Sequence, residues 1–281
     1  MPSVFWGSII LSKINIGADF MFNRFKDDLK KYWKYAIYSS KAQLKSEIAN
    51  SYLNWRWWVL DPLCFMLIYV FMFGYVFKSN QQYFAIFVFI GITLWDFFNK
   101  SLLQSVKVIK ANKPIVSKVY IPKFILLFVK MGVNGFKMCI SLLIILAMML
   151  VFRVPVTWNV LYFIPILMTL IVIVFGFSCF LLHYGVFVED LSNVLNIVLR
   201  FLFYLTGVFW NIMDRLPAPY NDYIGKGNPI AFLLTASRDC LIYGKTPHRK
   251  LLLMWFVVGV IISILGVRKI YKNENSYVKV I

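Results

Sequence analysis

A chain of 281 residues that is 60% hydrophobic and only 15% charged carries more apolar side chain than one water-soluble core encloses. Soluble domains carry about 25% charged residues, so with a mean hydropathy of +0.72 much of this surface has to face lipid. The net charge of +18, from 30 Lys and Arg against 12 Asp and Glu, flanks the apolar runs instead of forming one dense patch, which argues against a nucleic-acid partner.

Taken in chain order, the first twenty residues hold an apolar patch with no positive segment ahead of it, so a cleaved signal peptide is not expected. Residues 24–48 space Phe25, Leu29, Trp33, Ile37, Leu44 and Ile48 along one helical face and set lysines on the other. This is the pattern of an amphipathic helix lying in the membrane surface; a solvated connecting helix is the plainer alternative. Six stretches reach the ~20 apolar residues that a bilayer crossing needs: about 57–77, 83–102, 124–152, 160–183, 192–212 and 250–268. The connections are too short to hold a soluble domain. The expected fold is therefore all-α and integral to the membrane: one membrane domain over residues 1–281 with six transmembrane helices.

SYLNWRWWVLDPL, residues 51–63, opens the first span with Trp55, Trp57 and Trp58 at headgroup level, Arg56 towards the cytosol and Pro62 in the first turns. The loop 103–122 combines helical periodicity with Pro114 and Pro122 as breakers, and suits either partner docking or plain connection. Residues 213–249 form the longest outer segment. Within it, NPIAFLLTASRDCLIYG starts with an Asn-Pro breaker and reads as a short re-entrant or surface helix before the last span. Lys and Arg number 19 on the side of the termini and 8 on the other, which places both termini in the cytoplasm.

Lys123, Lys130, Asn134 and Lys137 share one side of the third span. From Lys137 to Phe152 the helix rises roughly 22 Å, short of the ~30 Å hydrocarbon core. Either the lysines snorkel to the interface, or the stripe meets a wet cavity or an acidic partner. Glu189 and Asp190 stand in the turn after the fourth span, free to pair with that stripe, and Asp96 and Arg200 lie at similar depth, a plausible ion pair. Cys64, Cys139, Cys179 and Cys240 are scattered and read as small hydrophobes, with no metal cluster expected. The only histidines, His183 and His248, fall on opposite sides, so no catalytic centre is expected.

The ordered set of a basic interfacial helix, SYLNWRWWVLDPL, NKPIVSKVYIPK, TGVFWNIMDRLP and NPIAFLLTASRDCLIYG resembles the transmembrane subunit of polysaccharide and teichoic acid ABC exporters (type-2 ABC transporters of the Wzm and TarG kind) over roughly 24–270. One departure is YLNWRWW, with Asn54 where many members carry glycine. The resemblance implies a bacterial cytoplasmic-membrane protein that pairs with a second copy of itself and with two ABC ATPase subunits. It would export a glycan on undecaprenyl diphosphate, an O-antigen, capsule or teichoic acid. ATP and Mg would sit on the partner ATPase, with no cofactor on this chain. The residues agree, since GKT at 244–246 has Asp239 where a phosphate-binding loop needs its first glycine.

On that basis Tyr69, Phe73, Tyr204, Phe209 and Trp210 are conduit candidates, with packing or lipid contact as the plainer reading for each. Arg56, Lys118, Lys123 and Arg200 are candidates for the lipid diphosphate. Lys107, Lys110, Pro114, Glu189 and Asp190 are candidates for ATPase coupling. The main competing reading is a type-2 ABC permease for a drug, lipid or peptide. A membrane acyltransferase lacks clustered catalytic groups, and an ion-coupled carrier lacks repeats and mid-membrane carboxylates.

Overall fold

In the computed structural model the described residues are 3–49, 54–76, 81–212, 217 and 219–280; described side chains begin at residue 21 and omit 54, 73, 76, 278 and 279. Among the described residues the chain is helical throughout, with no strand. The helices are α1 (Ser3–Ala49), α2 (Trp57–Tyr69), α3 (Phe84–Ala111), α4 (Lys113–Val116), α5 (Lys123–Val151), α6 (Phe163–Phe187), α7 (Leu191–Leu205), α8 (Tyr220–Gly227), α9 (Pro229–Leu241) and α10 (Arg249–Val280). A short 3₁₀ turn, Asn54–Arg56, leads into α2, another, Trp158–Tyr162, leads into α6, and π-helical Val70–Val76 continues α2.

Four helices are long and apolar enough to cross a membrane: Phe84–Ala111, Lys123–Val151, Trp158–Phe187 and Arg249–Tyr277. Six crossings were expected; Trp57–Met72 and Leu191–Leu205, at the sites of the first and fifth, are shorter apolar helices. The helical run begins at Ser3, well before residue 24, and α3 carries on to Ala111, which leaves only α4 and the turn after it in the expected coupling loop. The turn expected between the first two spans lies partly in residues 77–80, and part of the outer segment in 213–216 and 218, outside the described residues.

α3 is the central post. Ile86 to Trp95 are all buried, because helices cover it on every side, and a helix apolar all round belongs in such a position. α6 and α10 approach through small residues: a Cβ at Gly266 would meet Cys179 Cβ at 2.6 Å, and one at Gly176 would meet Ile262 at 2.9 Å. Close backbone approach is how helices associate where lipid removes the hydrophobic drive. α1 leans on α5, where the Ser40 hydroxyl donates to the Val129 carbonyl at 3.1 Å and the Phe25 ring lies 4.8 Å from that of Phe124. Trp33 stays half exposed on α1.

The far end of α10 returns to α1 and to the turn before α5. Arg24 donates to Glu274 at 2.6 Å and to the Tyr120 hydroxyl at 2.8 Å. Its guanidinium also sits 4.3 Å from the centre of the Tyr271 ring, and Tyr271 donates to Asp28 at 2.7 Å. Desolvation works against charge on Arg24, but the bonds to Glu274 and Tyr120 outweigh it and hold its pKa above the ordinary arginine value. Three residues past Glu274, Tyr277 is fully buried and its hydroxyl meets His183 Nδ1 at 2.8 Å. His183 is thus packed in the fold.

Candidate functional site

α2, α3 and α7 enclose a cleft of about 390 Å³. Phe65 and Tyr69 come from α2, Trp95, Asp96 and Asn99 from α3, and Arg200, Phe203 and Tyr204 from α7. The rings form a continuous track. Tyr69 lies 4.3 Å from Phe209 and 6.4 Å from Phe203, and Phe203 lies 5.4 Å from Trp95 and 5.5 Å from Tyr204. Offset and edge contacts of this kind fix ring positions, and each adds roughly 0.5–1.5 kcal/mol beyond area burial.

Of the conduit candidates, Tyr69 and Tyr204 line the cleft, and Tyr204 is 65% exposed. Phe209 does not line it: the residue is 4% exposed and backs Tyr69, because the chain turns inward after α7. Trp210 is half-buried and is likewise absent from the lining. The backbone of Phe73 belongs to the π-helical stretch, and its side chain lies outside the described residues.

The diphosphate candidates do not converge. Arg200 faces the cleft, whereas Arg56, in the 3₁₀ turn ahead of α2, and Lys118, in the turn after α4, are exposed elsewhere. Lys123 is 3% exposed and its ammonium donates to the Ile121 carbonyl at 3.2 Å, so it is turned away from any open anion site. The Asp96–Arg200 pair, one of the two readings open for Arg200, does not form. Asp96 takes Lys100, one turn along the same helix, at 2.6 Å. Nor do Glu189 and Asp190 meet the lysine stripe of α5: Glu189 pairs with Lys110 at 3.2 Å, and Lys137 pairs with Glu47 of α1 at 2.6 Å. The coupling candidates do fall together in part, since the Lys110–Glu189 bond joins the end of α3 to the turn before α7. Lys107, Pro114 and Asp190 stand exposed on these elements.

The residue that composition did not single out is Arg238 on α9. It is 3% exposed and donates to the carbonyls of Phe87 at 3.2 Å, Gly207 at 2.8 Å and Val208 at 2.6 Å. Its guanidinium also lies 3.5 Å from the centre of the Phe87 ring. Burial pushes its pKa down to about 9, which leaves it protonated at neutral pH. Gly207, at φ +69°, turns the chain out of α7 and presents its carbonyl to this arginine. Gly91 leaves room for it, since a Cβ there would meet Arg238 Nη2 at 2.5 Å. Arg238 thereby pins the turn that carries Phe209 behind Tyr69. A lone arginine inside AFLLTASRDCL is the signal that marks it in sequence. No group of three metal-ligating side chains occurs among the described residues.

The arrangement is a ring-lined cleft between α2, α3 and α7. Residues 38–242 match the family model of the ABC-2 type transporter. The chain is similar to two proteins described as O-antigen export system permease protein RfbA from Klebsiella pneumoniae, each 22% identical over 243 residues, covering 86% of this chain and 93% of the relative. It is also similar to the protein of that description from Myxococcus xanthus, 23% identical over 235 residues, covering 84% of this chain and 90% of the relative. With well over half of its length inside the family model, the chain belongs to the ABC-2 type transporter family and is a multi-pass membrane permease.

Proposed function

We propose that this chain is the membrane-spanning subunit of an ATP-driven exporter that carries a lipid-linked polysaccharide across the cytoplasmic membrane. The observation that carries the reading is the aromatic cleft of Tyr69, Trp95, Phe203 and Tyr204 in a chain similar along 86% of its length to O-antigen export permeases. Sugar rings lay their C–H faces on aromatic rings, and rings held side by side let a glycan move in steps without tight binding. α2 with its π-helical continuation and α7 would supply the two further crossings, giving six, with both termini in the cytoplasm.

The working unit is then two copies of this chain with two ATPase subunits. Their stroke would enter at the exposed elements bearing Lys107, Pro114 and Glu189, and Arg200 would meet the undecaprenyl diphosphate group at the cleft. ATP and Mg would be held by the ATPase, and α1 would lie along the inner membrane surface. Export is tested in cells that lack their own copy of this gene. Tyr69→Ala combined with Tyr204→Ala is expected to lower surface glycan by about tenfold, the effect of losing two ring contacts. Normal surface glycan at equal protein level would refute the reading, and restoration of drug or peptide export alone would favour a different cargo.

A further inference from the structure

A second cleft, of about 400 Å³, lies between the end of α1, α2, α3 and α5 and shares only Pro62, Ile92 and Asp96 with the aromatic one. Its charges do not cancel. Glu47 and Lys137 neutralise each other at 2.6 Å. Lys100 serves two carboxylates at once, Asp96 at 2.6 Å and Asp61 at 3.9 Å. Among the lining residues three carboxylates face two ammonium groups, with Lys130 beside Glu47 and Lys137 but outside the lining, and the less well paired carboxylate is Asp61. The Asp61 side chain is 48% exposed at the headgroup end of α2 and holds Lys100 only at 3.9 Å, so it is open to a second cation.

The same cleft is lined by two polar residues, each 3% exposed, whose acceptors lack a donor among the described residues: Thr93 Oγ1 and Asn134 Oδ1. The amide nitrogen of Asn134 donates to Ser101 Oγ at 3.1 Å and Gln104 Oε1 at 3.2 Å, which leaves its oxygen without a donor. A buried acceptor without a donor costs about 1–3 kcal/mol. The indoles of Trp57 and Trp58 complete the lining, and an indole face attracts a cation.

We propose that this cleft binds the primary ammonium group of a membrane amphiphile. The ammonium pairs with Asp61, donates its hydrogens to Asn134 Oδ1 and Thr93 Oγ1, and rests beside the two indoles. Each competing chemistry leaves part of the site unsatisfied. A hydroxyl supplies a donor but no charge, a quaternary ammonium supplies charge but no donor, and a bare phosphate meets surplus negative charge. Two sources carry the group: the headgroup of an aminophospholipid, or an amino sugar on the cargo. The site does not rest on the export reading, since binding is measured on this chain alone.

Native mass spectrometry of the full chain extracted from equimolar phosphatidylethanolamine and phosphatidylcholine with identical acyl chains tests the first source. Retention of the ethanolamine lipid is expected to exceed that of the choline lipid by about tenfold, the factor one charge-assisted hydrogen bond supplies. Asp61→Asn should bring the two to parity. Thr93→Val, which keeps the volume and removes the hydroxyl, should narrow the ratio and serves if the first variant does not fold. The second source is read by melting in choline lipid: protection by glucosamine but not by glucose, lost in Asp61→Asn, assigns the ammonium to the cargo. Equal retention of both lipids with no difference between the two sugars overturns the proposal.

Discussion

A buried guanidinium is tolerated when its nitrogens find acceptors. Each of the three Arg238 nitrogens donates to a main-chain carbonyl, drawn from two separate stretches of chain, and the neighbouring Asp239 carboxylate favours its charge. Arg238→Leu keeps much of the packing and strands those carbonyls, so it should cost about 2–5 kcal/mol and lower the melting temperature of the purified protein. Arg238→Lys, with a single ammonium in place of the fork, should recover only part of that. Gly91→Ala should act in the same direction by pushing the guanidinium off Val208; a melting temperature equal to wild type would show the pin to be dispensable. At this scale the sequence was legible in kind but not in pairing. Asp96 and Arg200 are both visible as charges in apolar runs, yet Lys100, four residues from Asp96 on one helix face, is nearer and takes the bond. The partner of Lys137 lies on α1, ninety residues earlier in the chain, and no local spacing announces such a contact.

Among the elements, those governed by local chemistry were the ones that could be read in advance. The Asn-Pro start of α9 is one: the Asn228 side chain accepts from the backbone nitrogens of Ile230 and Ala231, and Pro229 fills a position that needs no donor. The limits of α7 were less legible. Apolar length read the first run well, since α2 and its π-helical continuation cover residues 57–76, but it overestimated α7, which ends at Leu205 before the turn at Gly207 that Arg238 holds. The α6 and α10 contact makes a prediction of its own. Gly266→Val places branched carbon where Cys179 Cβ would stand at 2.6 Å from the first added atom. Overpacking of that kind costs about 1–3 kcal/mol, measurable as earlier thermal unfolding, while Val267→Ile next to it should be milder. Unchanged melting of Gly266→Val would mean the two helices separate at little cost.

For the molecule as a whole, the excess of lysine and arginine on one side is the quantity that sets its direction in the membrane. The test is labelling of Asn275→Cys, an exposed position on α10, in a background with the four native cysteines replaced. An impermeant thiol reagent should modify it in inverted membrane vesicles and not in intact cells; labelling from outside would reverse the assigned topology. Composition sufficed for the membrane class because an apolar excess this large has no soluble solution. It said nothing of which cleft a substrate uses, since both clefts draw on α2 and α3, one closed by α7 and the other by α1 and α5.

The tail of α10 has a mechanical consequence. Glu274 grips Arg24 and Tyr120, and Tyr277 is sunk against His183, so a few late residues fasten the start of the chain, the turn ahead of α5 and the base of α6 to a single rod. Clipping that rod before Glu274 should loosen all three places in one event, as when a keystone leaves an arch. A protease that nicks near residue 272 would then expose cleavage sites hundreds of residues upstream.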